Sequence, residues 1–137
     1  STGAFTLLEL LVAVTIVGVL VGFAVPRYQI AMEQAHLNFA ASRLQCIATA
    51  QRLYHAENEV FSSSFASLVS AELLTDNLVE DSSKYSFSID SADASSFSLS
   101  ATRHISAPWS GTISLDQSGS LTGSLSDGDR FLSPSSD

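Results

Sequence analysis

The chain has 137 residues, a formal net charge of −8 and 45% hydrophobic residues. That length holds one domain plus an anchor, and the acidic balance argues against nucleic-acid binding, which requires basic stripes. Cys46 is the only cysteine, so no intrachain disulfide is available.

The first element is the run Phe5–Val25, FTLLELLVAVTIVGVLVGFAV, in which no charge occurs between Glu9 and Arg27. A helix of this length rises about 30 Å, enough to cross a bilayer core. Hydrocarbon offers no partner to a bare backbone, so the segment should be helical there. An acid in such a helix costs about 2.5–3.5 kcal/mol at the bilayer centre and less near an interface. Two readings of Glu9 stand side by side. Thr6-Leu7-Leu8-Glu9 fits a capping box at the positive end of the helix dipole; alternatively the acid is functional. A secretory signal peptide fits less well, because the run is long, no basic region precedes it in this chain, and it continues into a helical pattern without a cleavage site. Gly18 and Gly22 have the spacing of small residues that let helices pack closely. Pro26 withholds an amide and clashes with the carbonyl of Gly22, so local unwinding is expected somewhere within residues 18–26.

From Arg27 to about His55 the pattern becomes amphipathic. Leu37, Ala40, Ala41, Leu44, Ile47, Ala48 and Leu53 or Tyr54 recur at helical spacing, with Glu33, Asn38, Arg43, Gln45 and Arg52 between them. The apolar stripe should face a sheet, and Cys46 is read as a small buried apolar residue. Glu33 and His36 form an ExxH pair, but a di-iron centre needs further carboxylate-bearing helices that the chain lacks. His55 and His104 are isolated, and no nucleophile elbow, phosphate loop or zinc spacing occurs. No catalytic constellation is visible, and neither an enzymatic activity nor a cofactor is expected.

Asn58 to Val79 reads as a connection, with Ser62-Ser63-Ser64 capping a short helix over Phe65–Leu74. Asp76-Asn77 and Glu80-Asp81-Ser82-Ser83 read as loops. From Lys84 the period changes to two. Tyr85, Phe87 and Ile89 alternate with serines, as do Phe97, Leu99 and Ala101. Thr112–Leu115 forms a third strand and Leu121–Leu125 a fourth. Asp116–Gly119 suits a hairpin turn, and Trp109 suits packing beside the last strands, with binding of a sugar or a surface as the alternative. The expectation is an α+β fold: a long N-terminal helix packed on a small antiparallel sheet of about four strands. The tail from Ser126 to Asp137 reads as solvated and acidic, with Phe131 tucked against the head. Asp127 and Asp129 are weak calcium candidates.

Phe5-Thr6-Leu7-Leu8-Glu9-Leu10-Leu11, together with Pro26, resembles the processed N-terminus of type IV pilins and type II secretion pseudopilins. In that family a Phe follows the leader cleavage point, a Glu lies four residues on and a Pro 21 residues on. The resemblance implies residues 1–26 as membrane anchor and then filament core, and 27–137 as amphipathic helix plus head. It implies a structural subunit that polymerises into an extracellular type IV pilus, with itself, prepilin peptidase, the pilus assembly machinery and the cytoplasmic membrane as partners. Phe5, Thr6 and Glu9 would be the assembly residues, Glu9 neutralising a neighbour's N-terminal amine. Gly18, Gly22 and Pro26 would be where the helix loosens in the filament. The family's peptidase cuts before the Phe, whereas Ser1 to Ala4 precede Phe5 here. Either Ala4 ends a retained leader fragment or the cut lies before Ser1, and a start without Met favours the second. The alternatives are a pseudopilin in a short periplasmic pseudopilus and a membrane-tethered binding domain that never polymerises.

Overall fold

The computed structural model of the chain describes residues 4–79, 84–104 and 108–135. Among the described residues three helices precede five strands: α1 Leu7–Asn58, α2 Phe65–Ser70, α3 Asp76–Val79, β1 Tyr85–Ala92, β2 Phe97–Arg103, β3 Ser110–Asp116, β4 Leu121–Ser126 and β5 Phe131–Leu132. The chain divides into two compact units, Ser1–Glu33 and Gln34–Asp137.

In the first unit, α1 runs without a break through Gly18, Gly22 and Pro26. The loosening expected there belongs to the filament, and in the single chain the helix is continuous. Pro26 removes one bond at about 3 kcal/mol, but propagation on either side adds one bond per residue fixed and holds the ladder together. The helix ends at Asn58 because Glu59 turns left-handed (φ 58°) while its amide donates to the His55 carbonyl at 2.8 Å. Such a residue satisfies an orphan carbonyl at the helix terminus.

In the second unit, Leu37, Ala40, Ala41, Leu44, Ile47, Ala48 and Ala50 are buried on α1, which is the stripe the helical spacing gives. Leu53 is exposed and Tyr54 half-buried, so the stripe fades before the helix ends. Cys46 is exposed, against the buried position expected for it. It lies on the outward side, seven residues from both Phe39 and Leu53, which are also exposed. Gln51, by contrast, is fully buried.

The sheet is antiparallel in the order β1-β2-β3-β4-β5, one strand more than expected. The added strand comes from the tail: Leu132 pairs with Leu125 and Phe131 with Ser126. Partners across an antiparallel ladder point to the same face, so Leu132 turns inward and Phe131 outward, where it is 73% exposed rather than tucked in. The inner face carries the rows Phe87–Ala101–Ile113–Gly123 and Ile89–Leu99–Leu115–Leu121. The Arg43 guanidinium lies over both the Phe39 and Phe87 rings, and His55 contacts the Ala94 carbonyl at 2.8 Å. Both contacts tie α1 to the sheet. Trp109 is buried, with the Arg130 guanidinium 5.5 Å from its ring centre.

The connection folds more than its composition suggests. Ser64 caps α2 by accepting from the Ser67 amide at 3.3 Å, but the helix stops at Ser70 rather than Leu74. Glu72 turns left-handed there (φ 60°). Asp76-Asn77 opens the short α3 instead of a loop. The loop Glu80–Ser83 lies outside the described residues.

Candidate assembly site

Thr6 and Glu9 realise the capping box. The Glu9 amide donates to Thr6 Oγ1 at 3.1 Å, and the Thr6 amide donates to Glu9 Oε2 at 3.1 Å. Thr6 Oγ1 also donates to the same carboxylate oxygen at 3.3 Å. Two amides that have no partner inside the helix are thus satisfied reciprocally. The carboxylate of Glu9 is exposed and keeps accepting capacity, since an ionised carboxyl offers about four lone-pair sites. Thr15 bonds back to the Leu11 carbonyl at 2.8 Å, which removes its hydroxyl from the list of polar groups a hydrocarbon would strand.

Every described residue from Ala4 to Gln29 is exposed. Among the described residues α1 is long and apolar enough to cross a membrane, and none of its apolar window is buried within the chain. Phe5, Leu7, Leu8, Val14, Leu20 and Phe23 are each more than half exposed. A side chain of that size gains about 1.5–3 kcal/mol on full burial, so this surface requires lipid or other helices around it. Of the residues named for processing, Ala4 and Phe5 are exposed ahead of the helix, and Ser1 lies outside the described residues. Gly18 and Gly22 have open space around their Cα atoms, which leaves room for a neighbouring backbone.

The other candidates are dispersed. Glu33 is buried and His36 half-buried, and no group of three His, Cys, Asp or Glu side chains able to hold a metal occurs among the described residues. Asp127 accepts from the Asp129 and Arg130 amides at 3.1 and 2.8 Å, and its carboxylate meets Arg130 Nη2 at 2.6 Å. The Arg130 amide and side chain, opposed in part by desolvation, hold its carboxyl below the ordinary value. Asp93 is held low by the amides of Ser95 and Ser96, with further help from their hydroxyls. Asp116 is lowered chiefly by the Ser118 hydroxyl, and by the Ser120 amide. These carboxylates organise turns. What sequence reasoning missed is Gln51, whose amide grips Ser62: Nε2 donates to its carbonyl at 2.7 Å and Oε1 accepts from its amide at 2.8 Å.

A long N-terminal helix, apolar and exposed at its start, with an antiparallel five-stranded sheet behind it, is the arrangement of a type IV pilin. The family described as "Type IV minor pilin ComP, DNA uptake sequence receptor" matches residues 26–114. The chain belongs to that family, and it is a type IV pilin-like structural subunit rather than a member of an enzyme family. No curated protein matches it. The expectation against nucleic acid, drawn from net charge, finds no support in a family described as a DNA receptor.

Proposed function

We propose that the chain enters a helical type IV pilus through Phe5–Val25, which serves as membrane anchor before assembly and as filament core afterwards, with residues 27–137 forming the amphipathic helix and head. The observation that carries this reading is an entirely exposed apolar helix whose one acid already has its local donors. Helices packing on one another would cover that surface, with Gly18 and Gly22 allowing close approach. Phe39, Cys46 and Leu53, exposed at seven-residue intervals, fit the same kind of helix-on-helix contact. Glu9 would gain the N-terminal amine of a neighbour in addition to its cap, since a buried charge is tolerated when paired. Gly18, Gly22 and Pro26 form the weakest stretch of the helix and would open there if the filament is stretched. The family's description supports a pilus over a periplasmic pseudopilus, and an extracellular location follows from this reading.

The test separates cap from charge. Glu9→Gln keeps an acceptor for the Thr6 amide but loses the charge, whereas Glu9→Ala loses both. Both variants should stay in the membrane and give no filaments in material sheared from cells. Intact mass spectrometry of that material also reads the N-terminus. Normal filament yield from Glu9→Gln would reduce Glu9 to a helix cap.

The family's description favours a second reading, in which the head binds DNA. Phosphate contacts by Lys and Arg supply most of such affinity, and this head has few to offer. Arg103 is buried, Arg43 is half-buried between rings, and Arg130 is paired with Asp127. Arg52 is exposed. A gel shift with duplex DNA across a salt series tests this reading, and binding that persists at physiological salt would establish it.

A further inference from the structure

The outward face of β1–β4 is paved with hydroxyls. Two ladders cross all four strands, Ser88–Ser100–Ser114–Thr122 and Ser86–Thr102–Thr112–Ser124. A third begins at Ser110–Ser126 and is extended by β5 to Phe131. Neighbouring hydroxyls sit about 4.8 Å apart across strands and about 6.8 Å apart along them. No Lys or Arg occurs in these ladders. The carboxylates on this face, Asp90 and Asp116, lie at one end, and Asp90 is engaged by Ser88 and Ser100 at 3.0 and 2.9 Å.

Part of the array bonds to itself. Ser88 meets Ser100 at 2.7 Å and Thr102 meets Thr112 at 3.1 Å, hydroxyl to hydroxyl. The hydroxyls of Ser110, Ser114, Thr122, Ser124 and Ser126 tell a different story: only Ser126 has a partner among the described residues, the Gly128 amide. Serine brings little strand propensity, and of the ladder positions only Ser100 is buried, at 6% exposure beneath its bonds to Ser88 and Asp90. Folding alone therefore does not demand serine in so many registered positions.

We propose that this face is a docking surface for a neutral polysaccharide. A hydroxyl both donates and accepts, as a sugar hydroxyl does, so a registered array can exchange water for sugar without stranding either side. An apolar partner would strand many hydroxyls at once, which is costly. A polyanion would find no Lys or Arg in the ladders themselves, only Lys84 and His104 beyond Ser86 at one end, on a head whose acids outnumber its bases. Phe131, 73% exposed at the array's edge, offers an apolar plate to the C–H face of a sugar ring. Each contact replaces a water contact and gains little, so affinity would come from many rungs on one chain and from repeated copies.

The test uses the full chain in detergent micelles, which makes it independent of filament formation. Retention is measured on insoluble cellulose and on chitin, with soluble cello- and chito-oligosaccharides as competitors. The wild type should be retained on at least one matrix, released by the matching oligosaccharide and indifferent to salt. Thr112→Val combined with Ser124→Ala removes two hydroxyls without adding charge and should lower retention about tenfold. Phe131→Ala should also lower it, while Gln117→Ala in the β3–β4 turn should not. Circular dichroism confirms that the variants fold. Absence of retention on both matrices, or equal retention by the hydroxyl-deleted and Phe131 variants, overturns the proposal.

Discussion

Replacing Gln51 with Leu should destabilise the head far more than its polar-to-apolar character suggests. Gln51 is fully buried on α1 and Ser62 is 3% exposed. One carboxamide satisfies both backbone groups of Ser62, at 2.7 and 2.8 Å. Ser62 in turn holds Ser64, donating to its carbonyl at 2.7 Å and accepting from its amide at 3.2 Å, and Ser64 caps α2. Leucine fills a similar volume and gains apolar burial, but it leaves a buried amide and a buried carbonyl without partners. Each orphan costs about 1–3 kcal/mol, and the apolar gain offsets part of that. A net loss of about 2–4 kcal/mol follows, which lowers the melting temperature by roughly 10 °C or more in a head of this size. Urea unfolding of the full chain in micelles, followed by the fluorescence of the buried Trp109, measures it directly. Gln51→Glu should be worse at neutral pH, because its carboxylate cannot donate to the Ser62 carbonyl and carries a buried charge. A Gln51→Leu variant within about 0.5 kcal/mol of wild type would refute the reasoning and show that the Ser62 backbone needs no side-chain partner.

Further outcomes can be stated briefly. Gly111 and Gly123 have φ of 144° and 100°, and an added Cβ would land on the Ser124 and Thr112 carbonyl oxygens respectively. Gly111→Ala and Gly123→Ala should each cost well over 1 kcal/mol in the same unfolding assay. Glu59→Gly should stabilise by up to about 1 kcal/mol, since it relieves a left-handed residue at the end of α1. Asp93, Asp116 and Asp127 titrate below the ordinary value of 3.8 in the fold. Stability from them is therefore complete above that value and lost as pH falls through their lowered folded values. Thermal melts on an acid series should show that decline, and Asp93→Asn should flatten its share. Cys46 is exposed, so a maleimide should label it in the native chain as fast as in urea, whereas slow native labelling would place it in a contact.

Much of this architecture is legible in the residues because it rests on local periodicity. The uncharged run after Glu9, the stripe Leu37–Ala48 and the alternation of Tyr85, Phe87 and Ile89 each encode a face. A face of known period must be buried against something. Glu9 in a Thr6 capping box is legible for the same reason, since both partners lie within one helical turn. Membership of the pilin family follows from the N-terminal pattern and is met again by the match over residues 26–114.

Tertiary structure decided what depends on partners distant in the chain. Gln51 sits in a polar slot of the helical pattern, yet Ser62 makes it a buried clamp. Cys46 looks like a core residue by type, yet its angle on α1 turns it outward. Phe131 looks like an anchor, yet pairing of its strand with β4 places it on the wet face. The hydroxyl ladders exist only once four strands adopt one register, because a shift of one residue would send every serine to the core side. Periodicity states which faces exist. Register and rotation state what each face meets, and those are set by packing between segments far apart in sequence.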